Sequence, residues 1–456
     1  MKIIGRTAPK VEKLWGKQKV KDTEYRLMKY VLLEEKDGES ALHNAVTGET
    51  LLLDKSEREF IDSLEENPKR IPEEYSEFIE KHFFVPVDFD EYKSVKQLRT
   101  LFSAFENSKE ITGYTILPTT HCNARCFYCY ESNFAHVHMT PERAHEVVEY
   151  IEKKSPGKKI SIGWFGGEPL VGAKIISQIC GELTDKGFEF SASMISNGAL
   201  FTEELVKEAK EKWKLNFVQI TIDGTENVYN ETKAYVGMAG SPYQRVLKNI
   251  KMLSDADIKV SIRINLGYHN VDDTKNLMNE LSERFGECKN VSMYVHELFD
   301  DEGFDPVHYE GDEKSKLLER VEEFNRFAGD KGMYSERKSV PHLKISGCMA
   351  DNDGTVIINP DGVLTKCEHL SSADGFGSIY SEEKDKASVD SWKEHMEYED
   401  CKDCRLYPSC VLLKNCPNGN DCLKNTRNRR FSEARLGILE VLARAHEKTE
   451  TADKAD

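Results

Sequence analysis

Between residues 112 and 300 short apolar runs alternate with segments of helical period. The runs are Tyr114–Leu117, Ile160–Trp164, Phe190–Ile195, Phe217–Ile222, Val260–Leu266 and Val291–Val295. Bounded by turn and helix signals, each reads as a strand. Between them, segments such as PERAHEVVEYIEKK and TEELVKEAKEKW space their apolar residues three and four apart, as an amphipathic helix does. Six such units imply an α/β architecture with a parallel sheet curled into a partial barrel, its chemistry at the carboxyl ends of the strands. An open α/β sheet is the alternative, and it places ligands at the same ends.

The pattern differs on either side. Up to about residue 105, YRLMKYVLLEE and SALHNAVTGETLLLD cluster apolar residues around turn signals at Asp37-Gly38 and Thr47-Gly48, which predicts a small antiparallel sheet. Helical patterns open at Ser56 and near Pro72, so residues 1–105 read as an α+β module. Beyond about residue 336 regular patterning gives way to polar, Gly-rich and Cys-rich segments, with 371–394 expected as a flexible connection. An amphipathic helix resumes at Arg430–His446, and TETADKAD at the end is expected to be disordered. The divisions expected are 1–105, 112–335 for the barrel, 336–430 for the Cys-rich segment, and 431–456 for the last helix and tail. A chain of 456 residues exceeds one hydrophobic core, which suits such a division.

Composition narrows the partners. No apolar run approaches the roughly 20 residues that span a bilayer, and the N-terminus has no secretory pattern, so a cytoplasmic location with no membrane partner is expected. A net charge of -17, relieved only by the basic run Arg427-Asn428-Arg429-Arg430, argues against nucleic acid. Twelve cysteines with no export signal read as metal ligands rather than disulfides. Only Cys180 and Cys288 stand apart from two groups, and these two read as small buried hydrophobes.

The first group follows the first barrel strand as Cys122-x3-Cys126-x2-Cys129. Three thiolates at this spacing can wrap one cubane cluster and leave an iron open to a small molecule. A structural zinc site with His121 as fourth ligand is the competing reading. With its aromatic Tyr128 before the last cysteine, this segment resembles the defining motif of the radical S-adenosylmethionine superfamily. The resemblance implies a partial barrel, a [4Fe-4S] cluster on Cys122, Cys126 and Cys129, and reductive cleavage of S-adenosylmethionine to a 5′-deoxyadenosyl radical. Further strand ends match in order: Gly166-Gly167-Glu168-Pro169, Ser196-Asn197-Gly198, Thr221-Ile222-Asp223-Gly224 and Arg263-Ile264-Asn265. By resemblance Tyr128, Gly166, Gly167, Glu168, Pro169, Ser196, Asn197, Thr221, Asp223 and Arg263 bind the cofactor. Within this set Glu168 accepts from the methionine amino group and Arg263 holds its carboxylate. One departure concerns Asn230 and Lys233, which stand where family members often have His and Arg; a lysine lacks the bidentate arginine geometry.

The second group runs Cys348-x13-Gly362-x4-Cys367, then Cys401-x2-Cys404-x5-Cys410-x5-Cys416-x5-Cys422. It is similar to the SPASM extension of peptide-modifying radical enzymes, which implies two auxiliary [4Fe-4S] clusters and so three in all. Cys401, Cys404, Cys410 and Cys422 would hold one, with Cys348, Cys367 and Cys416 left for the other. A fourth ligand for the latter would fall near His342, and a zinc fold using part of the set remains the alternative. The N-terminal module resembles the winged-helix element that recognises leader peptides. Together the resemblances imply a radical maturase that crosslinks a ribosomally made precursor peptide carrying a leader, with thioether formation first among the outcomes and carbon–carbon crosslinking, epimerisation or formylglycine formation as alternatives. They also imply an external low-potential electron donor such as flavodoxin or ferredoxin. A non-catalytic electron-transfer or scaffold protein is the reading from another class.

Overall fold

The computed structural model describes residues 2–106, 110–298, 312–334, 339–381, 385–417, 422 and 424–453. Its N-terminal part contains β1 (Lys2–Arg6), α1 (Pro9–Trp15), β2 (Tyr25–Leu27), β3 (Val31–Lys36), β4 (Glu39–Asn44), β5 (Glu49–Leu53), α2 (Lys55–Glu66), α3 (Ser76–Glu80), β6 (Phe84–Pro86) and α4 (Glu91–Glu106). The antiparallel sheet runs β1-β5-β4-β3, while β2 pairs with β6. Asp37 and Gly38 turn β3 into β4 with φ of 55° and 82°, the left-handed pair that suits the twist of a two-residue hairpin. Asp54 caps α2 by accepting from Glu57 N, while the Glu57 side chain returns to Asp54 N. The helix expected from Pro72 is shorter than its pattern, a 3₁₀ turn at Glu73–Tyr75 leading into the five residues of α3.

The barrel follows as β7 (Gly113–Ile116), α5 (Pro141–Lys154), β8 (Lys159–Trp164), α6 (Ala173–Asp185), β9 (Glu189–Ser196), α7 (Glu203–Glu211), β10 (Leu215–Thr221), α8 (Glu226–Lys233), α9 (Pro242–Asp255), β11 (Lys259–Leu266), α10 (Thr274–Phe285), β12 (Val291–Glu297) and α11 (Asp312–Asp330). Strands β7 to β12 are parallel and adjacent in chain order. Hydroxyl caps from Thr140, Thr202 and Ser241 start α5, α7 and α9. Alternation along the strands separates two faces. Ile160, Ile162, Val218, Ile220, Val260 and Ile262 are buried in the core that the helices complete. The opposite parity carries Ser161, Ser193, Gln219, Ser261 and Arg263, with Ile195 and Phe217 as apolar exceptions, and leaves a largely polar surface for the lumen.

Beyond residue 336 the sequence reading contains no strands, yet the described residues there form three: β13 (Thr355–Ile358), β14 (Val363–Thr365) and β15 (Gly377–Ser378). At two to four residues each they are too short to show periodicity. β13 pairs parallel to β7, so the Cys-rich segment extends the barrel sheet to nine strands. The 371–394 stretch holds β15 and α12 (Lys386–Ser391), with 382–384 outside the described residues. The last helix, α13 (Lys424–Asp453), is longer than expected at both ends, covering TETADKAD as far as Asp453. Its Ala434, Ile438 and Leu442 bury against Leu32 and Ala41 of the N-terminal sheet, an apolar partner that periodicity alone does not reveal.

His43 ties that sheet to the Cys-rich segment. It is fully buried, with Nε2 2.7 Å from Pro341 O and Nδ1 2.9 Å from Thr50 Oγ1. Burial holds its pKa down to about 4, below the ordinary 6.5. The neutral ring is therefore required, and its contribution to stability is complete above pH 6.5 and lost as pH falls through about 4. The thermal midpoint should drop on acidification across that window, and His43→Gln should show a shallower drop; equal slopes would contradict the assignment.

Candidate active site at the barrel rim

The chain leaves β7 into the loop that carries Cys122, Cys126 and Cys129. Two glycines after β8 fix this loop. Gly166 has φ of 111°, and a Cβ there would overlap Thr119 O. At Gly167 a Cβ would lie 2.5 Å from Thr120 O and 2.7 Å from His121 O. Gly167 N donates to Thr119 O at 3.2 Å and Glu168 N to His121 O at 3.0 Å. The sequence suggests a backbone that approaches a ligand; what these glycines approach in the structure is the cysteine loop.

A cavity of about 230 Å³ opens at the carboxyl ends of the strands. All three cysteines of the loop line it, together with Tyr128, Gly166, Gly167, Ser196, Asn197, Thr221 and Arg263. Glu168 and Pro169 are buried behind this wall. The Glu168 carboxylate accepts from Ser196 Oγ at 2.9 Å, Asn197 N at 2.8 Å and Leu170 N at 3.1 Å, and burial pushes its pKa up to about 7. Three protein donors explain why it faces inward, and it positions Ser196 and Asn197. Asn197 Nδ2 in turn reaches Asn123 Oδ1 at 2.7 Å and Cys122 Sγ at 3.9 Å.

Asp223 also stands behind the wall, fully buried. Lys233 Nζ lies 2.8 Å from its Oδ2 and 2.7 Å from Tyr128 Oη, with both ionic side chains almost entirely enclosed. Tyr128 Oη donates to Asp223 Oδ2, and Asn265 N donates to Oδ1 at 2.9 Å. Burial opposes the Lys233 charge and Asp223 more than restores it, so its pKa lies well above that of an ordinary lysine. The departure at Lys233 thus has a structural role: one ammonium joins the fourth strand end to the cysteine loop, whose Arg125 N donates to Lys233 O at 2.8 Å. Asn230 has no such role; its buried Oδ1 finds no donor among the described residues.

Several lining residues escape the sequence reading. Gln219 follows from parity with Thr221, and Phe165 directly precedes Gly166. Glu368 and His369 carry no local signal; the pairing of β13 with β7 brings their segment to the rim, where His369 stacks on Tyr130 with ring centroids 4.1 Å apart.

Burial pushes the Cys122 thiol up to about 12 and Cys129 to about 11, so without a cation these residues stay protonated, whereas a metal deprotonates its thiols outright. Among the described residues no three His, Cys, Asp or Glu side chains gather tightly enough to hold a single metal ion. Three thiols around one cavity suit a cluster, in which each thiolate meets a different iron. The His121 ring lies against His136 and His138, at centroid distances of 5.3 and 5.5 Å, and is not among the residues that line the cavity. In the second group, Cys401, Cys404, Cys410 and Cys422 line one pocket together with Arg427. Cys348 and Cys416 are close enough to act on the Cys367 thiol, which burial first and Glu368 next push up to about 12. His342 packs at Gly48 beside the N-terminal sheet and Cys288 packs on the barrel core.

Residues 116–281, from the end of β7 into α10, match the family model described as the Radical SAM superfamily. The radical SAM cyclopropyl synthase TigE of Paramaledivibacter caminithermalis is 25% identical over 190 residues, 35% of this chain and 39% of that protein. The S-adenosylmethionine-dependent nucleotide dehydratase of Thermoplasmatales archaeon ISO4-H5 is 26% identical over 145 residues, 32% of this chain and 48% of that protein. The matched segments thus span less than half of either curated relative. Native anSMEcpe with bound AdoMet and Cp18Cys peptide has the same fold at TM-score 0.52 and 16% identity, covering 74% of this chain and 99% of that one. Streptococcus suis SuiB bound to precursor peptide SuiA follows at TM-score 0.50 and 14% identity, covering 87% and 99%.

Removing the Lys233 ammonium leaves Asp223 as a buried charge without its cation. Lys233→Met should cost about 3–5 kcal/mol of stability, and adding Asp223→Asn should recover part of it in chemical denaturation. A single variant as stable as the parent would show that the pair is not what holds the loop.

Proposed function

We propose that this chain is a radical S-adenosylmethionine enzyme that modifies a peptide. The observation that carries the reading is the meeting of Cys122, Cys126 and Cys129 with Gly166, Gly167, Ser196, Asn197, Thr221 and Arg263 around one cavity, all within the segment that matches the Radical SAM family model. The three thiols would hold a [4Fe-4S] cluster, and Arg263 offers the cavity a guanidinium suited to a carboxylate. When bound, cluster and S-adenosylmethionine would supply a 5′-deoxyadenosyl radical able to take hydrogen from an unactivated carbon. The protein's own part is to hold the reactants in register. Lys233, Asp223 and Tyr128 fix one end of the cysteine loop, Gly166 and Gly167 the other, and Glu168 orients Ser196 and Asn197.

Support for a peptide substrate comes from the two solved relatives, each with a peptide bound, from the largely polar lumen, and from a net charge of -17 that disfavours phosphorylated substrates. The N-terminal module would recognise the leader part of a precursor. Thioether formation from a substrate cysteine is the finer reading, supported by the second cysteine group, whose Glu368 and His369 border the same cavity. In that reading two further clusters sit at Cys401, Cys404, Cys410 and Cys422 and at Cys348, Cys367 and Cys416, and a flavodoxin or ferredoxin supplies electrons. No helix among the described residues is long and apolar enough to cross a membrane.

After anaerobic reconstitution and reduction, the enzyme should release 5′-deoxyadenosine, and Cys122→Ala, Cys126→Ala and Cys129→Ala should each abolish this while keeping most of the remaining iron. Undiminished release by a triple variant would defeat the proposal.

A further inference from the structure

The basic run Arg427-Asn428-Arg429-Arg430 finds its use at the second cysteine group. It lies in the first turns of α13, where residues three apart share a face. Arg430 Nη1 is 2.5 Å from Cys410 Sγ. Arg427 Nη2 is 3.7 Å from Cys422 Sγ and 3.3 Å from Asp400 Oδ2. Arg427 borders the pocket that Cys401, Cys404, Cys410 and Cys422 line, and its Nε is buried with no acceptor among the described residues. A buried donor without an acceptor is costly, and here it accompanies four thiols that a bound cluster would join.

Both arginines are held from a distance. Farther along α13, Ala434, Ile438 and Leu442 are buried against the N-terminal sheet, and Arg435 Nε pairs with Glu34 at 3.2 Å. Arg99 of α4 grips the pocket from the other side, donating through Nη2 to the carbonyls of Tyr407 at 3.0 Å and Cys410 at 3.3 Å. The other cysteine set has carboxylates beside it. Asp351 accepts from Cys348 N at 3.0 Å, Glu368 adjoins Cys367, and both carboxylates act on Cys348. The first set thus has two guanidiniums directed at its sulfurs, with Glu397 and Asp400 also lining its pocket, while the second has Asp351 and Glu368 beside it.

We propose that Arg427 and Arg430 are positioning residues that donate N–H groups to the sulfurs of a cluster held by Cys401, Cys404, Cys410 and Cys422, raising its reduction potential above that of a cluster held by Cys348, Cys367 and Cys416. The proposal rests on the auxiliary-cluster part of the reading above. Hydrogen bonds to cluster sulfurs and nearby positive charge both favour the reduced form, which carries one more negative charge.

The test is a potentiometric titration of the anaerobically reconstituted full chain, followed by electron paramagnetic resonance, with iron and sulfide counted in every sample. Arg430→Gln should move one auxiliary midpoint to lower potential by about tenfold in the reduction equilibrium, about 59 mV for one electron. Arg430→Lys, which keeps the charge but shifts the donor, should move it less, and Arg427→Gln should act in the same direction. Arg435→Gln, on the same helix but directed to Glu34, should leave every midpoint in place. Should Arg430→Gln lose iron, Arg430→Lys and Arg427→Gln decide by the same measurement. Full iron with unchanged midpoints in both would overturn the inference and leave the proposed function standing. Unchanged iron after replacing Cys401, Cys404, Cys410 and Cys422 together by alanine would overturn the auxiliary cluster and this inference with it, while release of 5′-deoxyadenosine separately reports on the radical chemistry.

Discussion

The rim depends on one close approach, that of Gly166 and Gly167 to the carbonyls of Thr119, Thr120 and His121. No side chain fits between these segments, so the end of the second barrel strand and the cysteine loop behave as one piece. Parallel pairing supplies the rest of the geometry. With six strands adjacent and in chain order, every loop at their carboxyl ends opens on the same side, and residues distant in sequence meet around one cavity. Asp223 and Lys233 then secure the far end of the loop, at the desolvation cost that any buried ion pair carries.

Much of this was legible in the chain, and the reason is physical. Strands β8, β10 and β11 bury one parity against helices and leave the other largely polar, and that alternation is written directly in ISIGW, FVQIT and VSIRINL. The glycine pair, Ser196-Asn197 and Arg263 could be placed because each lies in or just after the carboxyl-terminal half of a strand. Orientation was less legible. Glu168 looks outward from its sequence context, yet three donors from its own neighbourhood turn it inward. Lys233 looked like a weakened substitute for an arginine until burial beside Asp223 gave its single ammonium a place. Nothing local announces that Glu368 and His369 reach the rim, since that depends on a four-residue strand, β13, joining a sheet formed more than two hundred residues earlier.

The three parts of the chain are also less separable than composition suggests. β13 adds to the barrel sheet, His43 bonds to Pro341 O, and α13 returns from the last cysteine to cover the N-terminal sheet. A peptide held by the N-terminal module would therefore be held in fixed relation to the cysteine pocket and, through β13, to the rim. Local periodicity cannot report such contacts, because each is a choice of partner rather than a property of a segment.

The central claim is that the first three cysteines hold a cluster with a position open to S-adenosylmethionine. Electron paramagnetic resonance of the reduced enzyme, with and without S-adenosylmethionine, tests it most directly in a variant whose seven C-terminal-group cysteines are alanine, so that only this cluster contributes. The account predicts a spectrum that changes when S-adenosylmethionine is added and a signal that disappears when Cys126 is also replaced. A cluster signal from Cys122, Cys126 and Cys129 that S-adenosylmethionine leaves unaltered would contradict it.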